Sequence, residues 1–404
     1  MLYHFYEAQK RASAPFRAAA AAAVQMRGAL NGAASRAPTN QILAGLELAS
    51  RATLTHVRLP FGIETVPVEN QIATVTEEVA LDLPFGDLLH FKKDIDAPQP
   101  RVLIVAPLSG HFATLLRGTV KTMLQDHDVY ITDWKNPRDI PLSAGRFGFE
   151  DYVDYLIRFL EHLGPGAHMV AVCQPCVQAM VAASVMAEEK HPCEPRSLTL
   201  MAGPIDCRIN PTKVNELATE NPIGWFRNNL ISTVPFPLGG WGRRVYPGFV
   251  QVSAFVQMNP DRHIDAHKTL YRSLVEGDEA EAERIKEFYD EYFAVLDLTE
   301  EFYLETVEWV FQEMLLPLGK LTHRGRVVDP TQIRRTALLT VEGERDDICS
   351  VGQTAAAHDL ATKLRPHLRH HHLQAGVGHY GVFNGRRWET QIYPRVRSVI
   401  LSME

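Results

Sequence analysis

Ala167–His168–Met169–Val170–Ala171–Val172–Cys173–Gln174–Pro175–Cys176 is the stretch on which the reading of this chain turns. Ala167 to Val172 is an apolar, β-forming run that stops at a cysteine, and a helix-forming stretch, Val177 to Glu189, follows at once. A strand that turns sharply into a helix holds one side chain out at the edge of a sheet, with free helix N–H groups beneath it. The pattern is small–x–nucleophile–x–small, with Ala171, Cys173 and Pro175 in its three defining places. The positive end of the helix favours a thiolate at Cys173, which can then attack an ester carbonyl.

The flanking sequence alternates between strand and helix. Val102 to Ala106 reads as a buried strand, Phe112 to Leu124 as a helix and Val129 to Thr132 as a second strand. Val153, Leu156, Ile157, Leu160 and Leu163 form the apolar stripe of a helix over Phe149–Leu163, which Gly164–Pro165–Gly166 stops. Ser197 to Met201 is another strand, and the pattern resumes at Thr336 to Val341 and near His371 to Gln374. Short apolar strands separated by helices imply a mostly parallel sheet covered on both faces. Upstream, residues 1 to about 60 read as helical, with Ile42, Leu43, Leu46, Leu48 and Leu54 on one face, and Gln71 to Leu83 reads as β. Between about Ile205 and Gly325 the alternation breaks into Pro/Gly-rich turns, clustered aromatics and acidic helices, one of them capped by Thr299.

Two later loops complete a constellation. Gly343–Glu344–Arg345–Asp346–Asp347–Ile348 follows the strand Thr336 to Val341 and offers an acid, Asp346 by its spacing after Gly343, with Asp347 as the alternative. Gly376–Val377–Gly378–His379–Tyr380–Gly381 follows the last strand and offers a histidine on a glycine-flanked loop. Cys173, Asp346 and His379 then stand in the order nucleophile, acid, histidine. The oxyanion would be held by the backbone N–H of Gln174 and by the turn Leu108–Ser109–Gly110–His111 after the first long buried strand. The expected fold is α/β, an α/β-hydrolase fold. Its expected parts are an N-terminal helical and β extension (1–95), a first core part carrying the elbow (96–204), an inserted, mainly helical lid (205–328) and a second core part carrying the acid and the histidine (329–404).

Blander readings stand beside each of these residues. Cys173 and Cys176 also spell Cys–x–Pro–Cys, as in thioredoxin-like redox sites, which would leave Asp346 and His379 idle. Cys176, one turn into the helix, reads as packing. The His370–His371–His372 run alternates faces in a strand and lacks clustered partners, so no metal site is expected. Gly239–Gly240–Trp241–Gly242 has no preceding strand and no Lys–Ser/Thr, so it is not a phosphate loop.

The chain has 404 residues, 46% hydrophobic and 22% charged, which supplies ample mass for a large core. Its net charge of -7 argues against nonspecific nucleic-acid binding. Five cysteines in so long a chain do not make a secreted disulfide framework. With no basic segment and hydrophobic core at Met1 to Lys10, and no long apolar run elsewhere, neither a signal peptide nor a transmembrane segment is expected, and the expected compartment is cytoplasmic.

Several stretches together resemble the intracellular poly(3-hydroxybutyrate) depolymerases, relatives of the polyhydroxyalkanoate synthases within the α/β-hydrolase superfamily. They run from Pro107 to Thr119, Asp133 to Pro137, Val172 to Cys176, Met201 to Asp206, Gly343 to Ile348 and Gly378 to Phe383. The resemblance implies a cysteine nucleophile at Cys173, with Asp346 and His379 as acid and histidine. It implies hydrolysis of amorphous polyester to 3-hydroxybutyrate oligomers and monomer, without a cofactor, on storage granules in the cytoplasm. Where many superfamily elbows carry glycines, this one carries Ala171 and Pro175. The expected partner is the polyester polymer or granule surface, touched by Trp241, Phe236 and Tyr246 of the lid; a homo-oligomer stays open. The competing readings are a synthase-like acyltransferase using hydroxyacyl-CoA and a non-catalytic granule-coat protein, which an α/β core contradicts.

Overall fold

Nine strands build the central sheet of the computed structural model, which describes residues 2–29, 37–95, 98–258 and 260–404. They are β1 (Thr65–Val68), β2 (Gln71–Leu83), β3 (Gly86–Lys93), β4 (Arg101–Val105), β5 (Asp128–Trp134), β6 (His168–Val172), β7 (Ser197–Met201), β8 (Ala337–Gly343) and β9 (Arg369–Gln374). The order across the sheet is β1-β2-β3-β5-β4-β6-β7-β8-β9. From β5 to β9 every neighbouring pair is parallel, and β1, β2 and β3 close one edge antiparallel.

The central strands are buried on both faces, which is why they read as continuous apolar runs rather than as alternations. In β4, Leu103 and Val105 enter one core while Val102 and Ile104 enter the other. The first core is covered by α4 (Phe149–Leu163) and α5 (Cys176–Glu188), through Tyr152, Leu156, Phe159, Ala179 and Met180. The second is covered by α3 (Arg117–Met123) and the C-terminal helix Tyr393–Leu401, through Val120, Met123, Val396 and Ile400. Each of the large aliphatic and Phe side chains among these contributes roughly 1.5–3 kcal/mol by leaving water. A parallel sheet wrapped by helices on both faces, with the elbow on a central strand, is the α/β-hydrolase arrangement.

Between β7 and β8 the chain leaves the sheet for a mainly helical excursion. It holds α6 (Lys213–Glu220), α7 (Ile223–Asn229), α8 (Gly248–Met258), α9 (Pro260–Glu276), α10 (Glu279–Tyr292) and α11 (Glu300–Thr306). A small antiparallel sheet of Ser232–Thr233, Arg244–Tyr246 and Leu298–Thr299 lies within it. Leu270, Ile285, Tyr289 and Tyr292 of α9 and α10 form a separate core, onto which Leu48 and Leu54 of the N-terminal segment pack. No helix among the described residues is long and apolar enough to cross a membrane.

Several expectations are corrected here. The N-terminal segment forms α1 (Leu2–Ala29) and α2 (Ala37–Arg51), but the chain from Ala52 to Glu64 is not helical, so Leu54 packs from a loop. Residues 30–36 of that segment lie outside the described residues. Ile42, assigned to the apolar face, is 64% exposed. The helix expected from Phe112 opens instead with Phe112 extended and a 3₁₀ turn at Ala113–Leu116, before α3. Thr299 precedes α11, yet its hydroxyl donates to the Phe147 carbonyl rather than capping the helix.

Candidate active site

β6 ends at Val172, and the next residue, Cys173, takes a left-handed backbone with φ of 67°. A non-glycine residue held there is strained, and strain of this kind is maintained only where the surroundings fix it. The fixing contacts are backbone bonds on either side: Cys173 N–H donates to the Met201 carbonyl at 2.7 Å, and Cys176 N–H donates to the Cys173 carbonyl at 3.1 Å. Gly203 makes room for the turn. A Cβ there would meet the Cys176 side chain and come within 2.9 Å of the Cys173 carbonyl oxygen. The elbow therefore rests on the end of the neighbouring strand, β7, as well as on its own helix.

The acid and the histidine arrive from the ends of the last two strands. Gly343 closes β8, and a Cβ there would stand 2.9 Å from the Val377 carbonyl oxygen, so only a glycine lets the two loops touch. Arg345 N–H donates to that same carbonyl at 2.9 Å. Asp346 is buried, and its Oδ1 accepts the backbone N–H groups of Ile348 at 2.9 Å and Cys349 at 2.8 Å. Its Oδ2 stands 2.8 Å from His379 Nδ1, and His379 Nε2 stands 3.1 Å from Cys173 Sγ. Asp347 is exposed, lines the cavity at His379, and makes no hydrogen bond to His379. Burial pulls the His379 pKa down, but the Asp346 carboxylate and the Cys173 sulfur outweigh it and hold the imidazole well above its ordinary value.

Cys176 does not share this environment. It is fully buried, its thiol faces the carbonyls of Ala171 at 3.4 Å and Met201 at 3.6 Å, and burial raises its pKa well above normal. All five cysteines are free. His371 bonds Thr340 and His372 bonds Gln374, each within its strand region.

Of the residues expected around the oxyanion, Gln174 follows Cys173 directly in the chain. The Gln174 N–H makes no hydrogen bond among the described residues, and the side-chain amide of Gln174, nearly buried, has no partner there either. β4 lies beside β6 with Val105 opposite Ala171, so the Leu108–His111 turn leaves the sheet next to the elbow. Ser109 is half-buried in that turn, and the Gly110 carbonyl accepts Leu296 N–H at 2.9 Å. The His111 imidazole is itself buried between Phe255 and Tyr292, and burial pushes its pKa down to about 4. Its Nε2 has no partner among the described residues.

A cavity of about 370 Å³ opens at His379. Phe255, Phe288 and Tyr292 from the inserted segment, Tyr380, and the cations Arg262 and Arg345 line it. None of these was singled out from sequence. Tyr380 and Arg345 sit inside the two loop motifs and could have been found there, whereas Phe255, Arg262, Phe288 and Tyr292 lie in helices with no motif.

The aromatics expected to bind substrate divide. Tyr246 is corrected: it is 3% exposed and stacks on Tyr303 with ring centroids 3.9 Å apart, so it belongs to the core. Phe236 and Trp241 are 73% and 62% exposed, edge to face at 5.9 Å, and do not line the cavity at His379. Their loop is held by Gly240 N–H donating to the Arg138 carbonyl at 2.7 Å.

Among known proteins, no curated sequence matches the chain. In structure it is similar to the thioesterase domain from the curacin biosynthetic pathway, at 12% identity over 81% of this chain and 99% of that one, with a TM-score of 0.42. It is also similar to a thermophilic esterase from Thermogutta terrifontis, at 14% identity over 81% of this chain and 99% of that one, with a TM-score of 0.41. The family described as PHB de-polymerase C-terminus matches residues 202–404, which take in the inserted helices, Asp346 and His379. The chain belongs to that poly(hydroxybutyrate) depolymerase family, within the α/β-hydrolase superfamily.

Proposed function

We propose that this protein hydrolyses the ester bonds of amorphous poly(3-hydroxybutyrate), releasing 3-hydroxybutyrate oligomers and monomer, through Cys173, His379 and Asp346. The observation that carries this is the chain of two contacts from Cys173 Sγ through His379 to Asp346, 3.1 and 2.8 Å long, at the head of a strained elbow. An imidazole within hydrogen-bond reach of the thiol can take its proton as the sulfur attacks. Cys173 attacks the ester carbonyl, and the Gln174 N–H and the Ser109–Gly110–His111 turn hold the oxyanion. His379 gives its proton to the departing alcohol, then takes one from the water that hydrolyses the acyl-thioester. Asp346 keeps the imidazole in the tautomer both steps need. No cofactor enters this scheme.

Phe236 and Trp241 are the surface aromatics in this reading, contacting polyester outside the cavity, and the setting is the storage granule in the cytoplasm. The test is release of soluble 3-hydroxybutyrate and its oligomers from native amorphous granules, comparing wild type with Cys173→Ala. Release by wild type alone is expected. Turnover by the variant would remove Cys173 as nucleophile. Release by neither would overturn polymer hydrolysis and turn attention to hydroxybutyryl-CoA as acyl donor.

A further inference from the structure

Two guanidinium groups beside His379 have no part in the ester chemistry above. Arg262, near the start of α9, lies with its guanidinium carbon 5.9 Å from the centre of the Tyr380 ring. Arg345 is on the acid loop, next to Asp346. Among the described residues neither side chain makes a hydrogen bond or an ion pair. Both line the cavity that opens at His379. Asp347 lines it too, so two cations stand against one carboxylate and leave a net positive charge. Phe255, Phe288 and Tyr292 give the rest of the wall aromatic rings, and His263 and Ile348 also face it. Both guanidinium-bearing residues are exposed, so their charge acts through partly hydrated surroundings and is screened by salt.

The position of this charge relative to the chemistry matters. His379 must protonate the leaving oxygen, so space adjoining His379 receives the leaving-group side of the substrate. In a linear polyester of a hydroxyacid the interior is uncharged. Only the acid end carries charge, because its carboxyl ionises near pH 4. We infer that Arg262 and Arg345 form an anion subsite that takes the free carboxylate end of a linear 3-hydroxyalkanoate oligomer, in the leaving-group position of the cleft. This rests on the ester-hydrolase reading above and adds a direction to it.

The step balances. The Cys173 thiolate forms an S–C bond with the carbonyl carbon of the ester nearest the acid end. The C–O bond of that ester breaks, and its oxygen takes the His379 proton. The departing molecule is a hydroxyacid whose carboxylate the two arginines hold. Water then cleaves the thioester, frees the shortened chain with a new carboxylate end, and returns the proton to His379. One water is consumed per ester, and the chain shortens from the acid end.

The probe is a linear 3-hydroxybutyrate trimer with a free carboxylate, compared with the same trimer ending in a carboxamide. For wild type, KM for the acid is expected to be about tenfold lower than for the amide, with the gap narrowing in high salt. Arg262→Gln should bring the two KM values together, with a smaller effect on kcat, and Arg262→Lys should restore part of the preference. The amide trimer serves as the control for folding. A wild type indifferent to the terminal charge, or a preference that survives Arg262→Gln, overturns the subsite. Free CoA provides a separate arm: competition by CoA that Arg262→Gln abolishes, without any acid preference in wild type, would assign the cations to a phosphate instead. Hydrolysis of granules with neither trimer cleaved would overturn the subsite and leave the depolymerase reading standing, whereas no hydrolysis of any of the three would overturn both.

Discussion

Asp346 and Asp347 are neighbours in sequence with opposite surroundings. Asp346 is buried and accepts two backbone N–H groups on Oδ1, while Asp347 is exposed. Asp346→Asn must keep its amide oxygen toward those two donors, because an NH₂ there would face N–H groups. Its NH₂ then faces His379 Nδ1, which becomes an acceptor and moves the imidazole proton to Nε2, the wrong nitrogen for activating Cys173. A loss in kcat on the order of ten-thousand-fold is expected, measured on a soluble oligomer. Asp347→Asn should cost far less, and the reverse ranking would move the acid by one residue. The sequence left these two open because spacing after a strand does not say which of two adjacent carboxylates turns inward. Burial against the Ile348 and Cys349 amides decides it, and those bonds exist only once the loop has folded.

Strands and helices with strong patterns were legible to within a residue or two: β6 with its elbow, α4 with its apolar stripe, and β7. Elements fixed by distant partners were not. Leu54 sits on an apolar spacing, but the helix has already stopped at Arg51, and the loop carries Leu54 onto the core of α9 and α10. Tyr246 is one of many aromatics in the inserted segment, and nothing local separates it from exposed Trp241; its partner, Tyr303, lies far along the chain. The docking of α1 is equally nonlocal. Tyr3 donates to Asp297 Oδ2 at 2.6 Å, and Gly248 N–H donates to Oδ1 at 2.9 Å. Burial raises the Asp297 pKa from 3.8 to about 6, although the Tyr3 and Gly248 bonds and Arg138 pull it down. A carboxyl with a raised folded pKa adds stability that is complete below its unfolded value and is lost as pH rises through about 6. Asp297→Asn removes that titration, so the stability of wild type minus that of the variant should fall between pH 4.5 and pH 7 in denaturant melts. A difference that stays level, or rises with pH, would mean that Asp297 ionises freely in the folded protein.

In the proposed reading, the molecule as a whole separates chemistry from contact with substrate. Cys173, Asp346 and His379 sit at the ends of β6, β8 and β9, held by the sheet, and the cavity at His379 is walled by the inserted helices together with the two loops that carry Asp346 and His379. Phe236 and Trp241 stand outside that cavity, on a loop anchored to the Arg138 carbonyl and to Arg243, whose guanidinium bonds the carbonyls of Ile140, Pro141 and Gly145. Two large exposed aromatics on a firmly held loop suit contact with an apolar surface better than with a single small molecule. Being mostly exposed, they contribute little to folding, so Trp241→Ala should leave the melting temperature nearly unchanged. On native granules the variant should release 3-hydroxybutyrate several-fold more slowly at limiting enzyme. On a soluble trimer, which reaches the cavity without touching that loop, the rate should stay close to wild type. Equal losses on both substrates would tie Trp241 to the cleft itself, and equal rates on both would leave the polyester surface to be held elsewhere on the protein.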